Sequence, residues 1–325
     1  MTATASAVSA ASIGGPLGYL GEAVAAAAVV RTAARLGVLD RLDGAAPTVT
    51  ELAVACGLDK RGAGLLLAAM QGLGLIEEVG GSWRSALPDL PALARTTDMW
   101  TSLDELTSLG RPLVRGDTPS GAQAFYPGAV IHLGAMLASV ADRAAELLPP
   151  AVRVLDVGAG AAPWSLALAA RDPACFVTAV DLPAVVIVTR RAVRTAGRLR
   201  QFRFVEGDLF DIELGCEEYD LAIVGNLCHL FDEATNRRLL DRLFRALVPG
   251  GTLAVIDVMP GDGPAPRWVA LYELGLMLRT ASGRVHRLAV YLDWLHDTGF
   301  EPPERHLLDE QAQAVLLVAR TPVGG

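Results

Sequence analysis

The sequence predicts an α/β chain in which a doubly wound parallel sheet follows an N-terminal, essentially all-α domain of winged-helix outline. Three observations point there. Residues 152–183, VRVLDVGAGAAPWSLALAARDPACFVTAVDLP, read as strand, glycine turn, helix and a second strand that ends in an acid. Alternation of apolar runs and amphipathic segments then continues to residue 258, the pattern of a parallel sheet with right-handed crossovers. Finally, 325 residues with 52% hydrophobic and 20% charged composition exceed one ordinary domain and supply ample core.

In chain order, residues 1–15 are rich in Ala, Ser and Thr, with no basic start and no sustained apolar core, and read as a flexible leader. An alanine-rich helix over 21–36 ends at Gly37. Thr50 is expected to cap a helix through Ala55, Gly57 to break it and Asp59 to open another, before a hairpin over 77–84 through Gly80 and Gly81. These elements make 16–100 a winged-helix-like domain, joined by a helical linker, 101–150, with loops at 116–121 and 126–128, to the main domain, 151–325. There, helices are expected over 183–197, 233–247, 268–280 and 288–297. Strands are expected over 202–205, 221–224, 252–258, 305–308 and 314–320, the last antiparallel.

Charge narrows the partners. A net charge of −8, with Lys60 the only lysine, disfavours nucleic acid, which needs clustered cations. The second winged helix offers Leu65, Leu66, Leu67, Ala68, Ala69 and Met70 where a DNA-reading helix carries polar and basic groups, so it suits packing or dimerisation. The apolar run 23–30 is too short to span a bilayer. Cys56, Cys175, Cys216 and Cys228 lack CxxC spacing and read as reduced thiols of a cytoplasmic protein.

Ligands of doubly wound sheets sit beyond the carboxyl ends of the strands, and the informative residues fall there. Asp156, Gly158 and Gly160 follow the first strand, and Asp181 with Leu182 the second. A carboxylate ahead of the turn repels a pyrophosphate and attracts a cation, which favours S-adenosylmethionine (SAM) over a dinucleotide; Asp181 is placed to accept the ribose hydroxyls. Asp208 can accept from the adenine amino group while Leu209 and Phe210 cover the ring. Gly225 and Asn226 follow the fourth strand. His229, in GNLCHLFDE, is the candidate general base, because methyl transfer from a sulfonium needs a nucleophile relieved of its proton. Asp257, closing the fifth strand, would orient the imidazole or act as a metal ligand. Substrate candidates are Tyr126 with Phe125, His132, Trp268, Tyr272, Arg279 as a carboxylate anchor, and His286.

In this order, DVGAGAAPWSLALA, AVDLP, EGDLF, NLCHLFDE and LVPGGTLAVIDVM resemble the SAM-dependent O-methyltransferases of plant phenolic and bacterial polyketide-tailoring metabolism, over most of the chain. The resemblance implies a class I methyltransferase fold, a homodimer built through the N-terminal domain, SAM on Gly158, Asp181, Asp208 and Leu209, His229 as proton acceptor and Asp257 behind it. The chain departs from the family in Ala162, where a third glycine is usual, in Leu230, where an acid often follows the base, and near Gly225 and Asn226, which lack a cofactor-contacting lysine. Val285 and His286 stand where a second flanking acid is usual. That opens an alternative in which His229, Asp257 and His286 hold a metal for C-methylation of a 2-oxo acid, as in bacterial enzymes that resemble the family. A SAM-binding regulator is the non-enzymatic alternative, against which an intact His229 weighs.

Overall fold

The computed structural model describes residues 15–323 apart from 88, 104–107, 109–111, 113, 114, 117, 264, 265 and 311. The leader expected over 1–15 therefore falls, up to residue 14, outside the described residues. Two units divide the chain, residues 1–98 and 99–325.

In the first unit, α1 (Gly15–Arg35), α2 (Val38–Leu42), α3 (Val49–Cys56) and α4 (Lys60–Gly72) precede a hairpin of β1 (Ile76–Val79) and β2 (Ser82–Ser85); α5 (Leu90–Asp98) follows. Thr48, not Thr50, caps α3. Its hydroxyl accepts from the Glu51 N–H, and the Glu51 carboxylate accepts from the Thr48 N–H at 2.7 Å. Spacing decides this: a reciprocal box needs an acid three residues on, and Thr50 has Ala53 there. Asp59 opens α4 as expected, accepting from the Gly62 N–H at 2.8 Å. Gly80 and Gly81 both take positive φ, the requirement of a two-residue hairpin turn whose twist matches its strands. Leu39, Leu42, Leu52, Leu67, Met70 and Trp83 form the core. Leu65, from the apolar run of α4, stays 64% exposed.

The second unit is built on a seven-stranded sheet in the order β5-β4-β3-β6-β7-β9-β8. Its strands are β3 (Arg153–Val157), β4 (Phe176–Asp181), β5 (Phe202–Glu206), β6 (Tyr219–Gly225), β7 (Leu247–Val258), β8 (Glu304–Asp309) and β9 (Ala314–Arg320). The first five run parallel, and β9 lies antiparallel between β7 and β8. Both faces are covered, so strand residues are apolar in both phases of the pleat. Val154, Val177 and Ile223 face one side, with Ala141, Trp164 and Leu168. Leu155, Val157 and Val224 face the other, with Leu239, Leu243 and Trp294.

The covering helices are α6 (Pro119–Leu147), α7 (Pro163–Arg171), α8 (Pro183–Thr195), α9 (Glu233–Ala246), α10 (Arg267–Arg279) and α11 (Leu288–Thr298). Residues 101–150, expected as a linker, are grouped with the sheet unit, because α6 packs on α7 and α8. Among the described residues α6 is also the one helix long and apolar enough to cross a bilayer; here Ala141, Ala144 and Ala145 of its last turns enter the core on the α7 side. Strand order reverses between β3 and β6, and at such a switch point a crevice opens beyond the strand ends.

Candidate active site

The turn after β3 is shaped by three residues in the left-handed region: Gly158 (φ 67), Gly160 (φ 57) and Ala162 (φ 57). A Cβ on Gly158 would come within 2.9 Å of the Leu227 side chain, so a larger residue here must displace that side chain as well as adopt a positive φ. Ala162 explains why glycine is the usual residue there, since it adopts a backbone conformation that a Cβ disfavours. From above, Gly134 of α6 approaches Ala161 so closely that an added Cβ would lie 2.6 Å from its methyl group.

Asp181, at the end of β4, ties this turn down. Its carboxylate accepts from the Gly160 N–H at 2.8 Å and from the Leu182 N–H at 2.7 Å. Burial raises its pKa to about 6 against those two hydrogen bonds, which lower it. A cavity of about 290 Å³ opens beside it, lined among others by Gly158, Asp181, Leu182, Asp208, Leu209 and Phe210. Leu227, Phe231 and Tyr126 complete its apolar side. Asp208 spends Oδ1 on the Phe210 N–H at 2.9 Å, the local turn role open to any acid there, and still faces the cavity. Two acids beside apolar and aromatic walls fit SAM, a cationic nucleoside without phosphate. The close backbone at Gly158 leaves it room.

Asp156 is placed differently from its expected role. It lies on the face of β3 that α7 covers, fully buried, where it accepts the Ser165 hydroxyl, and it does not line the cavity. Burial raises its pKa to about 7; the Ser165 bond lowers it and the Asp181 charge adds to the rise. Against an ordinary value of 3.8, the native state holds the extra proton between roughly pH 4 and 7, so stability falls as pH climbs through that window. Asp156→Asn cannot ionise. It is expected to remove a pH-dependent loss on the order of 2–4 kcal/mol, whatever its own fixed cost. Urea unfolding of both proteins at pH 4.5 and pH 8 checks this, and parallel losses would contradict it.

His229 sits on a short 3₁₀ turn, Cys228–Leu230, beyond β6 and is 3% exposed. Its Nδ1 lies 2.7 Å from Asp257 Oδ1 at the end of β7, and its backbone N–H donates to the other carboxylate oxygen at 3.2 Å. Asp257 also accepts from the Val258 N–H at 2.8 Å and the Tyr291 hydroxyl at 3.1 Å. Burial alone would raise Asp257. The adjoining His229, Val258 and Tyr291 outweigh it and hold the carboxyl below its ordinary range. Asp257 thus fixes the Nδ1–H tautomer and leaves Nε2 as the basic atom, which meets the Tyr272 hydroxyl at 2.8 Å. Trp268 packs on Tyr272, with ring centres 5.3 Å apart.

The remaining candidates take other positions. Gly225 lies under Trp164, whose indole nitrogen would stand 2.3 Å from an added Cβ, and the Asn226 N–H is bound to the Ile256 carbonyl; neither lines the cavity. His132 sits half-buried on α6, outside the cavity lining. Arg279 donates to the Gly275 carbonyl of its own helix and lies over the Tyr272 ring. His286, a candidate for substrate contact or metal ligation, is buried beside Trp294, and its Nε2 is 3.0 Å from the Phe231 carbonyl. Burial lowers its pKa, so it is a neutral donor there. His229, Asp257 and His286 therefore do not converge as ligands, and among the described residues no cluster of His, Cys, Asp and Glu could hold a metal. Of the four thiols, Cys216 is exposed and Cys228 is buried beside His229.

Two supporting residues were not singled out by the sequence. Tyr291, which holds Asp257, reads as one more apolar position of α11. Asn236 clamps the turn that carries His229 through the Cys228 and Phe231 carbonyls at 2.9 and 3.2 Å. It was detectable in principle, as a polar residue on the same face as Leu239, Leu240 and Leu243.

Residues 128–301 match the O-methyltransferase domain family. The 3-hydroxy-5-methyl-1-naphthoate 3-O-methyltransferase of Streptomyces sahachiroi is 27% identical, over 81% of this chain and 82% of that one. The tetracenomycin polyketide synthesis 8-O-methyl transferase of Streptomyces glaucescens is 28% identical, over 83% and 86% respectively. Among solved structures, human N-acetylserotonin methyltransferase in complex with SAM superposes with a TM-score of 0.71 at 23% identity, covering 94% of this chain and 96% of that one.

Proposed function

Because the chain belongs to the O-methyltransferase domain family and is a SAM-dependent methyltransferase, we propose that His229 is its general base and that the acceptor is an aryl hydroxyl of a secondary metabolite. The observation that carries this reading is the 2.7 Å contact of His229 Nδ1 with Asp257, which orients the imidazole and presents Nε2 as the atom free to take a proton. When bound, SAM supplies a methyl group from its sulfonium. Asp181 accepts the ribose hydroxyls, Asp208 the adenine amino group, and Leu209 with Phe210 covers the base. His229 Nε2 takes the acceptor's proton as its oxygen becomes a nucleophile, and Asp257 stabilises the imidazolium that forms. The names of the two Streptomyces relatives, a naphthoate 3-O-methyltransferase and a polyketide 8-O-methyl transferase, support a fused aromatic acceptor. Methyl transfer from SAM to hydroxynaphthoates, compared between wild type and His229→Ala, tests the reading.

We also propose that the first unit is a winged-helix dimerisation domain in a cytoplasmic enzyme. Leu20, Val24, Val54 and Leu65 support the first point, because they leave an apolar surface on that unit that a partner copy would cover. Four free thiols support the second. Light scattering of the full chain at micromolar concentration is expected to give the mass of a dimer; a stable monomer would contradict it.

A further inference from the structure

With the Nδ1 proton held by Asp257, Nε2 carries the single lone pair that an acceptor hydroxyl must reach. That lone pair already has a donor, the Tyr272 hydroxyl at 2.8 Å. The phenol stands edge-on to the imidazole with ring centres 5.3 Å apart, and the Arg279 guanidinium lies 5.4 Å from its ring centre. Burial pushes the phenol's pKa upward, so it remains the proton donor of the pair. One lone pair serves one strong donor, so Tyr272 and an acceptor hydroxyl cannot both hold Nε2.

We propose that Tyr272 is a placeholder for the acceptor: its phenol holds the position of the reacting hydroxyl on His229 and gives it up to an incoming aryl hydroxyl. The proposal rests on the reading of His229 as the base. A phenol bound to Nε2 presents the same O–H donor, on the same kind of ring, as a phenolic acceptor would. The surroundings that suit one suit the other. Because Tyr272 projects from the regular helix α10, rotation about its Cα–Cβ bond moves the hydroxyl without moving the backbone. Tyr272 is then a specificity residue. An acceptor gains only the difference between its own bond to Nε2 and the one it displaces, which favours acidic aryl hydroxyls over aliphatic ones.

The test needs no turnover. Diethyl pyrocarbonate acylates unprotonated imidazole, and mass spectrometry of the full-length protein locates the adduct, with rates referred to His296, whose side chain is 89% exposed. Tyr272→Phe removes only the hydroxyl, and Tyr272→Ala removes the ring as well. Acylation of His229 is expected to rise about threefold or more in the Phe variant and about tenfold or more in the Ala variant. In both, 2-naphthol should return it towards the wild-type rate, whereas naphthalene should not. Wild-type rates in both variants, equal protection by naphthalene, or a matching rise at the buried His286 would each overturn the proposal. Retained turnover in His229→Ala would instead remove the base assignment, a separate outcome from a separate variant.

Discussion

Replacing His229 by alanine is expected to lower methyl transfer by about a hundredfold to ten-thousandfold, the range of a positioned general base, while leaving SAM affinity essentially unchanged. The argument is geometric. Nε2 is the one basic atom at this point, because Asp257 takes Nδ1 and Cys228 beside it is buried with its thiol pushed well up in pKa. Alanine leaves Asp257 without its imidazole, though the Val258 N–H and the Tyr291 hydroxyl still hold it. Some loss of stability is therefore expected as well. Calorimetric SAM binding separates the two effects: unchanged affinity with lost turnover assigns the loss to chemistry. Turnover within about tenfold of wild type would contradict the role.

Asp181→Ala is expected to weaken SAM binding by about 1.5–3 kcal/mol, roughly tenfold to a hundred and fifty-fold, the value of hydrogen bonds to a charged group. Its carboxylate anchors the Gly160 and Leu182 N–H groups and lines the cavity, so alanine would loosen the turn and remove the contact proposed for the ligand together. The pH dependence follows in sign. With a pKa of about 6, the carboxylate is charged above that value, the form that would accept the ribose hydroxyls; as pH falls through 6 it protonates and wild-type affinity should drop. The alanine variant should lack that drop. Isothermal titration at pH 5 and pH 7.5 measures both, and equal affinities of variant and wild type would remove Asp181 from the site.

The parts of this molecule legible in its sequence are those set by local rules. The strand, turn and helix over 152–171 could be read because glycines at positive φ and an apolar run without helical period have few other solutions. Residues directly after strands could be placed because the topology puts every such loop at one end of the sheet. Orientation was not legible. Asp156 is two residues from Gly158, yet the pleat turns its side chain under α7, away from the cavity. His286 stands in sequence among Gly283, Arg284 and Arg287, which give no sign that Trp294 of α11 packs on it and that the Phe231 carbonyl accepts from it. The contact of Tyr272 with His229 joins residues 43 apart, from different elements, and no periodicity encodes it.

Single-turnover transfer from SAM carrying a ¹³C-labelled methyl group to a panel of hydroxynaphthoates, read by NMR, tests the central claim most directly. The account predicts label in an aryl methoxy group with wild-type enzyme and a slower burst by about a hundredfold or more with His229→Ala. Label on a ring or side-chain carbon, or the same methoxy burst from His229→Ala, would contradict it.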